Sequence, residues 1–91
     1  MTAECWRVVV DPRAKRQIDS LGHVAADRIY QFINKRIAQA ADPRAAGKAL
    51  TGQFAGLWRY RVGDHRIICA IRDAELVVLV LEAGHRKHIY R

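Results

Sequence analysis

The hydrophobic positions change period along the chain, and each change marks a new element. Residues 5–10 (CWRVVV) are a short run rich in β-branched side chains, the composition of a strand. Asp11-Pro12 ends it and opens a helix, with Asp as N-cap and Pro at the first helical position. Ala14, Ile18 and Leu21 then recur at helical spacing, and Gly22 is the stop. A second helix is predicted over 24–40. Its apolar stripe is Ile29, Phe32, Ile33, Ile37 and Ala40, set against an outer face with Arg28, Lys35 and Arg36. The short gap at Gly22-His23 folds the two helices into an antiparallel hairpin. Asp42-Pro43 ends the second helix, and residues 43–56 (PRAAGKALTGQFAG) read as an irregular connection. From there the period falls to two, giving strands at 57–62, 65–72 and 75–82. The last, ELVVLVLE, is apolar on both faces, as expected of a central strand covered on both sides. The predicted fold is α+β: an N-terminal strand and an antiparallel helical hairpin packed on a mainly antiparallel four-stranded sheet. The N-terminal strand completes that sheet, with its neighbour left open. The 91 residues form one domain, 1–91, with a single modest core.

The segment LWRYRVGDHRII, residues 57–68, carries the most information. Gly63-Asp64 between two alternating runs is the signal for a two-residue type II′ turn. That register sets Val62 opposite His65, Arg61 opposite Arg66 and Tyr60 opposite Ile67. Trp58, Tyr60, Ile67, Cys69 and Ile71 then share one face, the one expected against the helices, while Arg59, Arg61 and Arg66 share the other. Core packing accounts for Trp58 and Tyr60 better than base stacking does. Like charges directly opposite each other weaken a strand pair, so three arginines on one face predict a site that an anion fills.

Charge extends this picture. The chain has 16 Lys+Arg against 9 Asp+Glu, a formal +7 spread over both halves, which points to a polyanionic partner such as nucleic acid or to an acidic protein. No stretch is long and apolar enough to span a membrane, and the N-terminus lacks the basic start and apolar segment of a secretory signal. Two cysteines, Cys5 and Cys69, read as small strand residues in a reducing compartment, so a cytoplasmic protein is expected. Cysteines and histidines show no zinc spacing, and no phosphate-binding or dinucleotide glycine motif is present, so neither metal nor cofactor is called for. Asp64 and Asp73 are turn residues, leaving no carboxylate pair for acid–base work.

The C-terminal stretch GHRKHIYR, residues 84–91, concentrates His85, Arg86, Lys87, His88, Tyr90 and Arg91. If strands 65–72 and 75–82 pair across a tight Asp73-Ala74 turn, Leu81 falls opposite Arg66 and the tail emerges near the arginine-bearing end. Metal-free RNA cleavage needs a 2′-OH to attack the adjacent phosphorus, with a proton acceptor, stabilisation of phosphate charge and a proton donor to the leaving oxygen. Arginines suit the charge task because they stay ionised and hold phosphate with a planar fork. Tyr90 is a candidate for proton transfer, since neighbouring guanidinium groups lower a phenol's pKa, and His85 and His88 are rivals.

The order of elements, with GKALTGQFAGLWRYRVGDHRIICAI followed by LVVLVLEAGHRKHIYR, resembles the RelE/ParE superfamily of bacterial toxins, most closely its RelE branch. The resemblance covers nearly the whole chain. It implies a type II toxin that acts as a metal-independent, ribosome-dependent mRNA endonuclease, or mRNA interferase, cutting the codon in the ribosomal A site. It also implies a cognate RelB-like antitoxin, and operator DNA binding only through the toxin–antitoxin complex. Residue by residue, it assigns catalysis to Arg61, Arg66, Arg86 and Tyr90. RNA contact goes to Lys48, Arg59, His85, Lys87 and His88. The sequence departs from the family by carrying Arg59 and Arg61 where lysines are common, and by a closer spacing of Tyr90 to Arg86, so that His85 or His88 can share the acid–base task. Two other readings stay open: a ParE-like, non-catalytic inhibitor of DNA gyrase, and a basic RNA-binding module without turnover.

Overall fold

A computed structural model describes residues 6–85. Strand β1 (Arg7–Val10) leads directly into helix α1 (Pro12–Asp19). The N-cap is Asp11, whose carboxylate accepts a hydrogen bond from the Arg13 amide at 2.9 Å. Ala14 and Ile18 are fully buried. Gly22, at φ 94°, takes the left-handed conformation that turns the chain into α2 (His23–Phe32). Asp19 ties the two helices together, accepting from Lys15 at 2.8 Å and from the Tyr30 hydroxyl at 3.0 Å. The predicted second helix is two pieces: α2 and a π-helical segment, Ile33–Ala38. The apolar stripe runs through both, with Ile29, Ile33 and Ile37 buried. Hydrophobic spacing over six residues does not distinguish the two windings.

The sheet has five strands, not four. Between Asp42 and Trp58 the chain makes a 3₁₀ turn (Pro43–Ala46), a two-residue strand β2 (Lys48–Ala49) and a second 3₁₀ turn (Gly52–Phe54). Two residues are too few to show an alternation, so the strand left no mark on the hydrophobic pattern. Strands β3 (Trp58–Val62), β4 (His65–Arg72) and β5 (Val77–His85) form the expected meander, and the spatial order is β1-β5-β4-β3-β2. The N-terminal strand pairs in parallel with β5, Arg7 opposite Val77 through Val10 opposite Val80.

The β3/β4 register is the predicted one: Val62 opposite His65, Arg61 opposite Arg66, Tyr60 opposite Ile67. Gly63 has φ 60° and Asp64 does not share a positive φ, as a type II′ turn requires. The β4/β5 register differs from the prediction. Arg66 lies opposite Gly84 rather than Leu81, for two physical reasons. The connection is not a tight Asp73-Ala74 turn but a 3₁₀ turn (Asp73–Glu75) closed by Leu76 at φ 53°, so Arg72 pairs with Val77. A β-bulge after Ile68 then inserts Leu81, shifting the pairs beyond it by one more.

The helices pack on one face of the sheet, where Ala14, Ile18, Ile29, Ile33 and Ile37 meet Tyr60, Ile67, Cys69, Val78 and Val80. Strand β5 is interior, as expected, but it is not covered equally: Val78 and Val80 are fully buried, whereas Leu79 and Leu81 are half-buried. Beyond the end of β1, the Ala83 amide of β5 donates to the Gln17 side chain of α1 at 3.0 Å. That contact satisfies a donor the parallel ladder no longer reaches. Cys69 is a free, buried thiol. No described helix is long and apolar enough to cross a membrane.

Candidate nucleic-acid site

The pairing that buries Tyr60 and Ile67 turns the intervening arginines to the opposite face of the sheet. Two cross-strand rows result. One runs Lys48, Arg59, Ile68, Glu82, and the next contains Arg61, Arg66 and Gly84. Strand β2 thus adds a cation to the arginine face, because Lys48 sits directly opposite Arg59. Glu82 is separated from Arg59 by Ile68, and it lies 3.8 Å from Arg13. The four cations line a concavity of about 310 Å³ whose other wall is the segment 45–47. Arg59 and Arg66 are half-buried while Lys48 and Arg61 are exposed, and the Arg61 Nε donates to the Gly63 carbonyl at 3.3 Å. Close guanidinium groups of this kind repel one another, and an anion with several acceptor oxygens relieves that repulsion.

The wall at 45–47 is held by contacts that hydrophobic patterning did not single out. The Tyr60 hydroxyl, fully buried, donates to the Pro43 carbonyl at 2.7 Å, and the Trp58 indole donates to the Arg44 carbonyl at 3.3 Å. Both aromatics therefore belong to the framework, as the alternation predicts, and burial pushes the Tyr60 phenol far above its ordinary range. The Arg44 guanidinium stacks over Trp58 at 5.5 Å and makes a two-pronged bond to Asp73, at 2.8 and 2.6 Å. Gly47 completes the arrangement by close approach. A Cβ there would sit 2.5 Å from the Arg59 carbonyl oxygen and 2.7 Å from Trp58 Cδ1. Gly47→Ala is expected to lower stability by about 1–3 kcal/mol, the scale of overpacking a tight contact. A urea midpoint that falls with an unchanged slope is the check.

Asp73 gives this clamp a pH dependence. Its hydrogen bond from Arg44 holds the carboxyl below its ordinary value of 3.8. A depressed folded-state pKa means the contribution is present above the unfolded value and is lost as pH falls through the lower, folded one. Wild type should therefore exceed Asp73→Asn in stability at neutral pH, with the gap closing below about pH 3.8 in urea titrations at stepped pH. A gap that stays constant into acid would show that the carboxylate charge contributes nothing.

The structure brings together Lys48, Arg59, Arg61 and Arg66, and it places His85 elsewhere. His85 pairs with His65 at the end of β5, ring centroids 5.9 Å apart and edge-on, on the ladder side shared with Val62 and Ile67. It does not join the arginines. Arg86, Lys87, His88 and Tyr90 lie outside the described residues. Strand β5 ends at the arginine end of the sheet, with Gly84 directly opposite Arg66. Two site-forming residues escaped the hydrophobic pattern, and one of them had a faint signal in the sequence. Gly47 follows two alanines just before Lys48, a run of small residues suited to a close backbone approach. Arg44 follows the Asp42-Pro43 helix stop and had no distinguishing context.

The family described as the ParE toxin of type II toxin–antitoxin systems (parDE) matches residues 8–90. Toxin RelG of Mycobacterium tuberculosis is 36% identical over 50 residues, which is 55% of this chain and 58% of that protein. The match thus spans a little over half of that relative's length. The fold is that of the toxin–antitoxin complex RelBE2 from M. tuberculosis, with a TM-score of 0.83 and 24% identity over 90% of this chain and 99% of the other. It is also that of the archaeal RelE–RelB complex from Pyrococcus horikoshii, with a TM-score of 0.71 and 23% identity over 92% and 98%. With the family match running from β1 into the basic C-terminal stretch, and with the sheet and helical hairpin shared, the chain belongs to the RelE/ParE superfamily of toxins of type II toxin–antitoxin systems.

Proposed function

We propose that this toxin is an mRNA interferase that cleaves mRNA in the ribosomal A site. The observation that carries the reading is the convergence of Lys48, Arg59, Arg61 and Arg66 on one concavity. In the reaction, the ribose 2′-OH attacks the neighbouring phosphorus. The bond to the 5′-oxygen breaks, and the products end in a 2′,3′-cyclic phosphate and a 5′-hydroxyl. Arg61, Arg66 and Arg86 are assigned to the negative charge that grows on the phosphate oxygens, where fixed donors act most strongly. Lys48 and Arg59 hold the adjacent backbone, together with Lys87 and His88. Tyr90 is assigned to proton transfer, with His85 and His88 as its rivals. The four cations supply anchors but no base-reading apparatus comparable to a sequence-specific nuclease, so the ribosome is the partner that orients the strand.

The partner in the resting state is a RelB-like antitoxin. The neighbouring structures named above are toxin–antitoxin complexes, and a segment with acidic side chains that folds as it binds suits the basic face. The ParE description of the matching family favours a second reading, a gyrase inhibitor acting by binding. A clustered set of phosphate-binding cations supports cleavage over that alternative. Induced without an antitoxin, the protein should arrest growth, and mapping of RNA 5′ ends should find new ends inside codons, suppressed when the antitoxin is co-expressed. DNA breaks with intact mRNA would establish the gyrase reading instead.

A further inference from the structure

Strand β2 lies at the edge of the sheet, and both of its residues, Lys48 and Ala49, are exposed. Burial therefore does not fix its register. A tight turn does not fix it either, because residues 50–57 separate it from β3. Lys48 stands opposite Arg59 because the chain is anchored on both sides of it. Downstream, Leu50 N donates to Leu57 O at 3.0 Å. Upstream, the turn Pro43–Ala46 is joined to β3 by the Tyr60 hydroxyl and the Trp58 indole, and Gly47 N donates to Arg44 O at 3.1 Å. The Arg44 side chain reaches further. Its guanidinium lies over Trp58 and bonds through both terminal nitrogens to Asp73, in the turn between β4 and β5. Asp42, at 4.0 Å from the same guanidinium, caps the turn that Arg44 itself belongs to. Asp73 thus pins the segment before Lys48 to one end of β4, while Arg66 stands near the other end of that strand.

We infer that Asp73 is a positioning residue for RNA binding: through Arg44 it holds the segment 44–47 so that Lys48 and Arg59 meet the same stretch of RNA backbone. The inference rests on the RNA-cleaving reading and adds to it a carboxylate that touches no RNA. The pair is exposed, Arg44 to 34% and Asp73 to 63% of their side chains. An exposed ion pair of this kind contributes little to folding, so stability alone is a weak account of a two-pronged bond. Charge argues against a carboxylate here, since it weakens the attraction to a polyanion and neutralises a cation, Arg44. The placing of Lys48 offsets that loss.

The test is a double-mutant cycle on ribosomes programmed with an mRNA whose A-site codon is 2′-O-methylated, so that binding is read without cleavage. Affinities of labelled toxin are measured by fluorescence anisotropy at fixed salt for the wild type, Lys48→Ala, Asp73→Asn, Asp73→Glu and the double variant Lys48→Ala/Asp73→Asn. Lys48→Ala should weaken binding about fivefold, the scale of one phosphate contact at about 0.1 M salt. Asp73→Asn should also weaken it, although the substitution makes the protein more positive. Asp73→Glu keeps the carboxylate and should restore wild-type binding. The double variant should bind no more weakly than Lys48→Ala, because a lysine that is absent has no position to lose. Asp73→Asn binding as tightly as the wild type, or more tightly, is what charge alone gives and would overturn the inference. Unchanged binding in Lys48→Ala would overturn it as well. So would full additivity in the double variant, which is the signature of a general loss of folded protein. The RNA-cleaving reading fails separately: unmodified mRNA left intact on ribosomes that bind the toxin would bring that reading down and leave the coupling of Asp73 to Lys48 standing.

Discussion

Arg66→Ala should slow single-turnover cleavage of ribosome-bound mRNA by about 10²–10³, the scale for removing one preorganised donor to a charged transition state. Arg66 is the most central of the described cations. It stands opposite Arg61 on one side and Gly84 on the other, and it lines the basic concavity. Its backbone neighbours Ile67 and Ile68 are buried, but its own side chain is on the arginine face, outside the core. Fold should therefore survive, with the thermal midpoint close to that of the wild type. Arg66→Lys keeps the charge and loses the fork, so it should restore only part of the rate. Unchanged cleavage in Arg66→Ala would take this residue out of the chemistry.

Tyr90→Phe should leave ribosome binding intact and lower cleavage by about 10²–10⁴, the range for a general acid–base group. The substitution removes a hydroxyl and nothing else. The placement of His85 bears on this expectation. Its ring faces His65, on the side of the ladder away from Arg61 and Arg66, and His88 is the other histidine rival. The two cases separate by pH. A histidine in the role leaves a titration near neutrality in the cleavage rate that persists in Tyr90→Phe. With Tyr90 in the role, the residual rate of that variant loses the wild-type pH dependence. Wild-type rates in Tyr90→Phe would promote His85 or His88.

How far the sequence led is clearest along β3 to β5. A two-residue turn leaves only one register, so Gly63-Asp64 was enough to place Arg61 opposite Arg66 and to set the arginines apart from Tyr60. The next turn was not legible. Leu76 takes a left-handed conformation that glycine or asparagine ordinarily signals, and nothing in IRDAELVV announces the bulge at Leu81. Each error displaced the pairing, although β5 still ends beside the arginines. Strand β2 is held by its pairing with β3 rather than by any pattern of its own, so Lys48 was named from resemblance and only the structure set it opposite Arg59. The wall at 45–47 depends on Arg44 meeting Asp73, a contact 29 residues apart in sequence that no local rule anticipates. Phe54 looked like one apolar residue in an irregular connection, and only the structure sets it beside Arg59 and Arg66.

The chemistry proposed for the arginine face is cleavage of RNA on the ribosome. Its most direct test is to add purified toxin to ribosomes programmed with a defined mRNA and to analyse the products. Cleavage within the A-site codon, with a 2′,3′-cyclic phosphate on the upstream fragment and a 5′-hydroxyl on the downstream one, is the predicted result. Intact mRNA on a ribosome shown to bind the toxin would contradict it.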